Sequence, residues 1–184
     1  MRQNKKTENP LLKECFFTAL IRLMDQKDFK DITISEIAQK AGVSRMTYYR
    51  TYSSKEDILL QYFDDQAEHL IQMVKNQPDM TDKQFFTILF HSFQDHGYFM
   101  KYLYQAGLIS NILNHFTEFI HLLYTESGKI SCTDSDIQYP ISFMAGGLYM
   151  LLLHWIESGQ KESPEEMAQI SLEILSGNAY TRHL

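Results

Sequence analysis

The segment TISEIAQKAGVSRMTYYRTYSSK, residues 33–55, decides the fold of this chain. Thr33 and Glu36 form a capping-box pattern, in which a hydroxyl and a carboxylate cap the first backbone amides of a helix. Gly42 stands where this short helix must end in a left-handed residue, and Ser44 can cap a second helix over residues 45–50. Two short helices joined by residues 41–43 predict a helix-turn-helix, a motif whose second helix enters the DNA major groove.

The second helix carries side chains that suit DNA. Arg45 offers a bidentate fork to guanine O6 and N7, Thr47 and Tyr49 offer hydroxyls to phosphate oxygens, and Lys55 adds a positive charge. The side chains predicted to pack this helix against its neighbours are Val43, Tyr48 and Tyr52. An ordinary helical hairpin with a solvated basic face is the alternative. The coincidence of capping boxes, Gly42 and a basic, aromatic helix favours DNA binding.

Charge divides the chain into two parts. The 184 residues carry a net charge of -6, but residues 1–60 hold 11 Lys and Arg against 8 Asp and Glu, a net of +3. Residues 61–184 hold 6 against 15, a net of -9. A basic first part on an acidic second part indicates two tasks in one chain. An apolar share of 44% excludes a disordered chain, and two cysteines favour a reducing compartment.

Helix signals recur along the rest of the chain. Asn9-Pro10 can start a first helix over about residues 9–26, and Ser53 and Glu56 form a second capping-box pattern before a long helix to Lys75. Further helices are predicted over about 81–97, up to 107, 108–127, 137–158 and 163–177, with a loop at 129–136. Alternating β-branched runs are missing from the sequence. The prediction is an all-α fold of about nine helices.

Residues 137–156, IQYPISFMAGGLYMLLLHWI, contain no charged side chain over a length that could cross a membrane. Polar residues inside the segment and acidic rather than basic flanks disfavour a membrane span. We expect instead a helix shared with a second copy of the chain, because Gly146-Gly147 lets another backbone approach closely. A four-helix bundle from two chains would use the interface residues Gly147, Leu148, Leu151, Leu152, Met167, Ile170 and Ile174. The alternative is packing within one chain.

The stretch TISEIAQKAGVSRMTYYRTYSSKEDILL, residues 33–60, resembles the DNA-binding signature of TetR-type bacterial transcriptional regulators. The match is near-continuous over residues 10–60, and Tyr52 departs mildly, because the family usually has Phe or Val there. The resemblance implies a DNA-binding domain over residues 1–55 and an effector-binding and dimerising domain over residues 56–184. It also implies that the DNA-contacting positions are Thr33, Ser35, Arg45, Met46, Thr47, Tyr49, Arg50 and Lys55.

From Phe85 onward the chain is similar to the regulatory domain of Firmicutes members of that family, through AGGLYMLLLHWIESGQKESPEEMAQI, residues 145–170. This resemblance implies control by a small-molecule effector. A cavity is predicted between the helices at 81–96, 108–127 and 137–158, near Phe90, Tyr102, Phe116, Phe119, Met144 and Trp155. The acidic balance of residues 61–184 favours a neutral or cationic effector. The alternative is control by a partner protein, which some Firmicutes relatives are suspected of using.

Other site types have weak support. His91 with Asp95, and His115 with Glu118, share helix faces, but two ligands fall short of the three or four that zinc needs, so no metal is expected. Cys15 suits a helix core, and Cys132 is predicted in a loop, where redox sensing is the alternative to a structural role. The sequence shows no recognisable nucleophile–base pair or phosphate-binding loop, so we expect that the protein is not an enzyme and uses no cofactor. A basic, polar start without a secretory signal predicts a cytoplasmic protein.

Overall fold

The chain is described by a computed structural model that covers residues 9–77, 79–126 and 137–177. Within these residues the predicted all-α fold is confirmed, with nine α-helices, one turn of 3₁₀ helix at Phe29–Asp31 and no strand. The helices are α1 (Pro10–Met24), α2 (Ile34–Lys40), α3 (Arg45–Thr51), α4 (Lys55–Lys75), α5 (Asp82–His96), α6 (Tyr98–Gln105), α7 (Ile109–Glu126), α8 (Gln138–Glu157) and α9 (Pro164–Leu175). The 3₁₀ turn had no sequence signal. The predicted loop at 129–136 lies outside the described residues.

Most helices begin at the predicted caps. Asn9 Oδ1 accepts a hydrogen bond from the Leu11 amide at 3.1 Å, with Pro10 as the first residue of α1. Thr81 forms a reciprocal capping box with Gln84 at the start of α5. Ser163 does the same with Glu166 at the start of α9, where Pro164 occupies the first helical position. These local signals therefore determine where the helices start.

The capping box predicted at Ser53 and Glu56 is wrong by one residue. Helix α4 begins at Lys55, and the Asp57 carboxylate accepts hydrogen bonds from the Ser53 amide at 2.9 Å and the Ser54 amide at 3.1 Å. The Asp57 amide in turn donates to Ser54 Oγ at 3.2 Å. The box is therefore formed by Ser54 and Asp57. Glu56 and Asp57 follow each other in the sequence, and Asp57, the shorter of the two, is the third residue of α4.

The chain divides into two compact units. Among the described residues, the first unit, here called the head, consists of those up to 66 and of 102–109, and the second, the body, consists of those at 67–101 and from 110 onward. The limit between 66 and 67 falls inside α4, whereas the sequence placed a domain boundary between residues 55 and 56. That boundary stays a prediction.

The head is organised around buried aromatic side chains. Phe16 of α1 is fully buried, and its ring meets Tyr48 edge-on at a centroid distance of 5.7 Å and Tyr52 at 5.5 Å. Helix α1 packs on α2, and α2 on α3. Phe17 stacks on Tyr62 of α4 with centroids 3.6 Å apart, and the Lys13 ammonium pairs with Asp65 at 3.1 Å. These contacts tie α1 and the first half of α4 to the helix-turn-helix.

The body has its own apolar core, formed where α5 packs against α9 and α8. The Trp155 ring of α8 is buried edge-on against Phe90 of α5 at a centroid distance of 5.4 Å. The Trp155 indole N–H donates to the Glu162 carbonyl at 3.0 Å, so burying the indole leaves no donor unpaired. In α9 the buried Ser171 hydroxyl donates to the Met167 carbonyl. Helix α8 is thus a core element of the body along one of its faces.

Helix α8 is also the one described helix that is long and apolar enough, by length and composition, to cross a membrane. A third of its apolar window is buried inside the protein. The core helix of a soluble protein passes the same test, so length and composition alone are weak grounds for a membrane span.

Candidate nucleic-acid interface

The start of α2 is held by a network of charged hydrogen bonds. Glu36 Oε2 accepts from the Thr33 amide at 2.9 Å, and Thr33 Oγ1 accepts from the Glu36 amide at 3.3 Å. The Lys27 ammonium donates to Glu36 Oε1 at 2.6 Å and to the Asp31 carbonyl at 2.9 Å. The bond from Lys27, followed by the bonds from Thr33, lowers the pKa of Glu36 to about 2. Glu36 is therefore ionised at neutral pH while it caps the start of α2.

The turn between the two helices is a Schellman motif. The Gly42 amide donates to the Gln39 carbonyl at 3.1 Å and the Val43 amide to the Ala38 carbonyl at 3.0 Å, which satisfies the last carbonyls of α2. Gly42 has a φ of +71°, a conformation that strains any residue with a Cβ. The glycine predicted from the sequence is therefore required by the backbone. It sets the angle at which α3 leaves α2.

Helix α3 is capped at its start and anchored on one side. Ser44 Oγ accepts from the Thr47 amide at 3.1 Å and lies 2.9 Å from the Thr47 hydroxyl. Tyr48 is fully buried against Phe16, and burial, followed by the charges of Asp57 and Glu56, raises the pKa of its hydroxyl. One side of α3 thus belongs to the head's core, which leaves the opposite side free to face a ligand.

The exposed side of α3, here called the reading face, consists of Arg45, Met46, Tyr49 and Arg50. Met46 is 78% exposed and Tyr49 is 51% exposed. The Arg45 guanidinium lies 3.5 Å from the Tyr49 hydroxyl, one turn further along, and donates to it. All four were predicted to contact DNA, and the structure brings them together on one surface. Whether each contacts DNA stays a prediction.

The other predicted DNA contacts lie beside this face with their polar groups partly engaged. Thr33 and Ser35 are exposed at the start of α2, and the Thr33 hydroxyl is bonded to Glu36 Oε2 at 2.8 Å. Thr47 is half-buried, with its hydroxyl next to Ser44. These three hydroxyl-bearing residues contribute to the caps of α2 and α3 whether or not they also contact DNA.

Lys55 has a structural role that no sequence pattern indicated. Its ammonium donates to three backbone carbonyls, those of Phe29 at 2.5 Å, Ile32 at 3.0 Å and Lys30 at 3.2 Å. It also lies 4.5 Å from the centroid of the Phe29 ring. All three N–H groups are therefore used within the head, where they join the start of α4 to the turn that leads into α2. The predicted phosphate contact would have to compete with these bonds.

The predicted effector residues fall in two units. Phe90, Phe116, Phe119 and Trp155 are buried in the body, where Phe116 lies 5.8 Å from Phe119 between ring centroids, and Met144 is half-buried. Tyr102 instead belongs to the head, where its hydroxyl donates to Asp25 Oδ1 at 2.8 Å. A bond between residues 77 positions apart leaves no sequence signal. The effector cavity stays a prediction.

The predicted interface residues also lie on different sides of their helices. Leu148, Leu152 and Met167 are buried within one chain, Leu151 and Ile170 are half-buried, and Gly147 and Ile174 are exposed. The apolar side chains that α8 does expose are Tyr139, Phe143 and Met150, at 73%, 82% and 63%. Together with Gly147 they form what is here called the α8 stripe. An added Cβ at Gly147 would meet no atom within 4 Å. The interface itself stays a prediction.

Metal-ligand side chains do not cluster in the part of the chain that the structure describes: no three His, Cys, Asp or Glu residues are placed to hold an ion. His91 instead lies 2.9 Å from the Glu165 carboxylate of α9, and the Glu165 amide, followed by His91, lowers the pKa of that carboxyl. Cys15 is a half-buried free thiol on α1, and Cys132 lies outside the described residues.

A capped helix-turn-helix with an exposed basic and aromatic second helix, followed in one chain by a helical body, defines a helix-turn-helix DNA-binding regulator. The sequence profile of the family described as "Bacterial regulatory proteins, tetR family" matches residues 17–62. A second profile, "Transcriptional regulator C-terminal region", matches residues 81–177. The chain belongs to the TetR family of bacterial transcriptional regulators, which confirms the resemblance seen in residues 33–60. The family consists of regulators rather than enzymes.

Relatives of known name agree with this assignment. The chain is 24% identical over 179 residues to the HTH-type transcriptional regulator YxbF of Bacillus subtilis, a match that covers 86% of this chain and 43% of that protein. It is 34% identical over 65 residues to EthR of Mycobacterium tuberculosis, covering 34% and 30%. The chain thus spans less than half the length of these relatives.

Solved structures share the fold over almost the whole chain. Lin0861 from Listeria innocua has a TM-score of 0.73 at 15% identity, covering 96% of this chain and 95% of that one. The dihydroxyacetone kinase operon activator DhaS has a TM-score of 0.63 at 17% identity, covering 94% and 98%. FadR from Bacillus subtilis, solved in complex with stearoyl-CoA, has a TM-score of 0.59 at 19% identity, covering 90% and 98%. At these identities the likeness concerns the fold alone.

Proposed function

We propose that the chain works in the cytoplasm as a homodimer that binds a palindromic operator in double-stranded DNA and is controlled by a small-molecule effector. The reading face of α3 carries the DNA part of this proposal. Two arginines, a tyrosine and a methionine are exposed on a helix short enough to enter a groove about 12 Å wide. A dimer presents two such helices to two half-sites about 34–36 Å apart.

The α8 stripe supports the homodimer. Tyr139, Phe143, Gly147 and Met150 lie at intervals of three or four residues, so they share one side of α8. The stripe contains no charged residue, and the opposite side of α8 is packed in the body through Leu148 and Leu152. A row of exposed aromatic and methionine side chains with a glycine between them suits close packing on a second copy of the same helix.

A partner protein is the second candidate occupant of the stripe. The observation that favours it is the same exposed apolar surface, which a different chain could cover equally well. The oligomeric state decides between the two occupants. A wild-type protein that is dimeric at micromolar concentration supports the homodimer. A protein that stays monomeric by multi-angle light scattering contradicts the homodimer and supports the partner.

A small-molecule effector is supported by the aromatic interior of the body and by the fold it shares with FadR structures. Two of these were solved with stearoyl-CoA and lauroyl-CoA. Coenzyme A carries several negative charges, whereas residues 61–184 of this chain hold 15 Asp and Glu against 6 Lys and Arg. Like charges disfavour binding, so we propose a neutral or cationic apolar effector rather than an acyl-CoA.

The test begins with selection of duplexes from a random-sequence pool, followed by fluorescence anisotropy on the selected operator and on a single half-site. We expect an enriched inverted repeat and much weaker binding to one half. The variant that replaces both Arg45 and Arg50 by alanine should no longer enrich an inverted repeat from the pool. Its matched control is Arg22→Ala, which removes an exposed arginine on α1 outside the reading face. A pool without enrichment would contradict the proposal.

Effector chemistry can be tested on the operator complex. Stearoyl-CoA, stearyl alcohol and tetraphenylphosphonium are titrated separately, and release of the DNA is followed by anisotropy. We expect release by the neutral or the cationic probe and none by the acyl-CoA. Release by stearoyl-CoA alone would contradict the charge argument while supporting small-molecule control. Retention of the complex with all three contradicts control by apolar ligands of this size.

A further inference from the structure

Met46 occupies an unexpected place for an apolar side chain. Met46 is the second residue of α3, and its side chain is 78% exposed. It shares the reading face with the polar side chains of Arg45, Tyr49 and Arg50. Successive residues of a helix are about 100° apart, so the reading face spans about 140°. Arg45 and Arg50 lie at the two edges of this arc, while Met46 and Tyr49 lie between them. Met46 is therefore among the side chains that project most directly away from the head.

Packing within the head does not account for Met46. The core side of α3 is occupied by Tyr48, which is fully buried and points away from the reading face. Tyr49 is tied to Arg45 through its hydroxyl at 3.5 Å, so these two side chains form one polar pair on the face. The thioether of Met46 has no N–H or O–H group to join that pair. The apolar surface of the Met46 side chain is therefore available to a ligand that binds at the reading face.

The floor of the DNA major groove offers one strongly apolar feature. The base edges present hydrogen-bond donors and acceptors, which suit arginine, asparagine and glutamine, and the thymine C5-methyl group, which suits an apolar side chain. Methionine carries no charge for a phosphate and no donor for a base. Its unbranched, flexible chain adapts its shape to an apolar surface. The matching chemistry is therefore a methyl group on a pyrimidine.

We propose that Met46 reads a thymine in each half-site of the operator through apolar contact with its C5-methyl group, beside the base pair read by Arg45. The inference rests on the proposed function, because it requires α3 to lie in the major groove. Met46 and Arg45 are adjacent in the chain and each base step advances about 3.4 Å, which places the thymine within about two base pairs of the guanine. The methionine then acts as a specificity determinant that hydrogen-bond patterns alone would miss.

The test replaces thymine by deoxyuridine, which removes the C5-methyl group and leaves every hydrogen-bonding group in place. The operator selected by the wild-type protein is synthesised with single, symmetric thymine-to-deoxyuridine changes, and dissociation constants are measured by anisotropy at one salt concentration. For wild type, one such position should weaken binding about fourfold per half-site, the factor expected for exposing one methyl-sized group. In the Met46→Ala variant the same change should have no effect.

Met73→Ala is the matched control, because Met73 is an exposed methionine on α4 outside the reading face. This variant should keep the full sensitivity to deoxyuridine. Circular dichroism of Met46→Ala checks that the helices are intact, as expected for a side chain that contributes nothing to the core. A double-mutant comparison of protein and DNA changes then isolates the contact between the thioether and the methyl group.

Two results overturn the inference and are distinguishable from failure of the proposed function. Wild-type protein that binds every deoxyuridine-containing operator as tightly as the parent contradicts methyl reading. A sensitivity that persists in Met46→Ala assigns methyl reading to another side chain. In both cases the operator is still bound. If the random pool shows no enrichment at all, the proposed DNA-binding function fails, and this inference fails with it.

Discussion

The reading face of α3 and the α8 stripe both expose methionine and tyrosine, yet they differ in charge. Arg45 and Arg50 flank the apolar side chains on α3, whereas α8 contains no lysine, arginine or aspartate, and its one carboxylate is its last residue, Glu157. The first surface can neutralise phosphates around an apolar centre, and the second can exclude water only against another apolar surface. Exposure of apolar groups alone therefore says little about the partner. The charges beside them decide which partner fits.

The largest effect is expected from a charge placed in the α8 stripe. Phe143→Glu should prevent two stripes from packing, because the carboxylates would be buried without partners. A monomer loses simultaneous contact with two half-sites, so operator affinity should fall by about a hundredfold or more. Light scattering and anisotropy measure the two effects.

Tyr104→Glu is the control for this change, since Tyr104 is as exposed on α6 as Phe143 is on α8. It should leave both the dimer and the affinity intact. Dimeric Phe143→Glu protein would show that the stripe does not form the interface. Leu152→Glu is a poorer probe, because Leu152 is buried in the core of a single chain and its replacement would also unfold the body.

The next effect concerns base reading by the other surface. Arg45→Ala should weaken binding to the selected operator by about 1–3 kcal/mol and relax the preference at one base position per half-site. Binding of unrelated duplexes should change much less. Competition titrations with operators varied at each position measure this, and Arg22→Ala serves as the control. A uniform loss over all sequences would assign Arg45 to phosphate rather than to a base.

A variant of Lys55 tests whether DNA binding depends on the hydrogen bonds that join the start of α4 to residues 29–32. Lys55→Ala removes three hydrogen bonds to carbonyls of residues 29–32, so the head should lose about 1–2 kcal/mol of unfolding free energy. Because the turn into α2 loosens, binding should weaken for all sequences alike. Urea denaturation and anisotropy measure the two losses.

Lys30→Ala is the control, because the Lys30 side chain is mostly exposed and its ammonium pairs with Asp28 on the surface at 3.6 Å. If Lys55→Ala weakened DNA binding at full stability, the phosphate contact would be the lysine's main role. If it changed the order of preferred sequences, its role as a support would be contradicted.

The smallest effect is the pH dependence of the head through Glu36. Its pKa is lowered to about 2 in the folded protein, below the usual value of 4.5, so the carboxylate contributes stability at pH values above the usual pKa. That contribution is lost as the pH falls from about 5 to 2. The difference in urea midpoint between wild type and Glu36→Gln should shrink over this interval. A difference that stays constant with pH would show that the ionised form of Glu36 is not what stabilises α2.

The helix starts of both units could be predicted from the sequence, because a helix cap is formed by residues close together in the chain. Thr33 with Glu36, Thr81 with Gln84 and Ser163 with Glu166 each involve two residues three positions apart, and Gly42 acts through its own φ angle. The one error, at Ser53 and Glu56, arose where two acidic residues compete for the same capping position. The resemblance of residues 33–60 likewise rests on a continuous stretch, so the family could be recognised without coordinates.

What the sequence by itself determined was the all-α fold, the family and the position of the helix-turn-helix, since each follows from contacts between near neighbours or from a continuous motif. The tertiary structure alone decided which side of α8 is exposed, that Lys55 holds carbonyls 23 to 26 positions away, and that Tyr102 donates to Asp25 from 77 positions away. An apolar helix can bury any of several faces, and a lysine ammonium can donate to many different acceptors. Only packing between distant segments selects one of them.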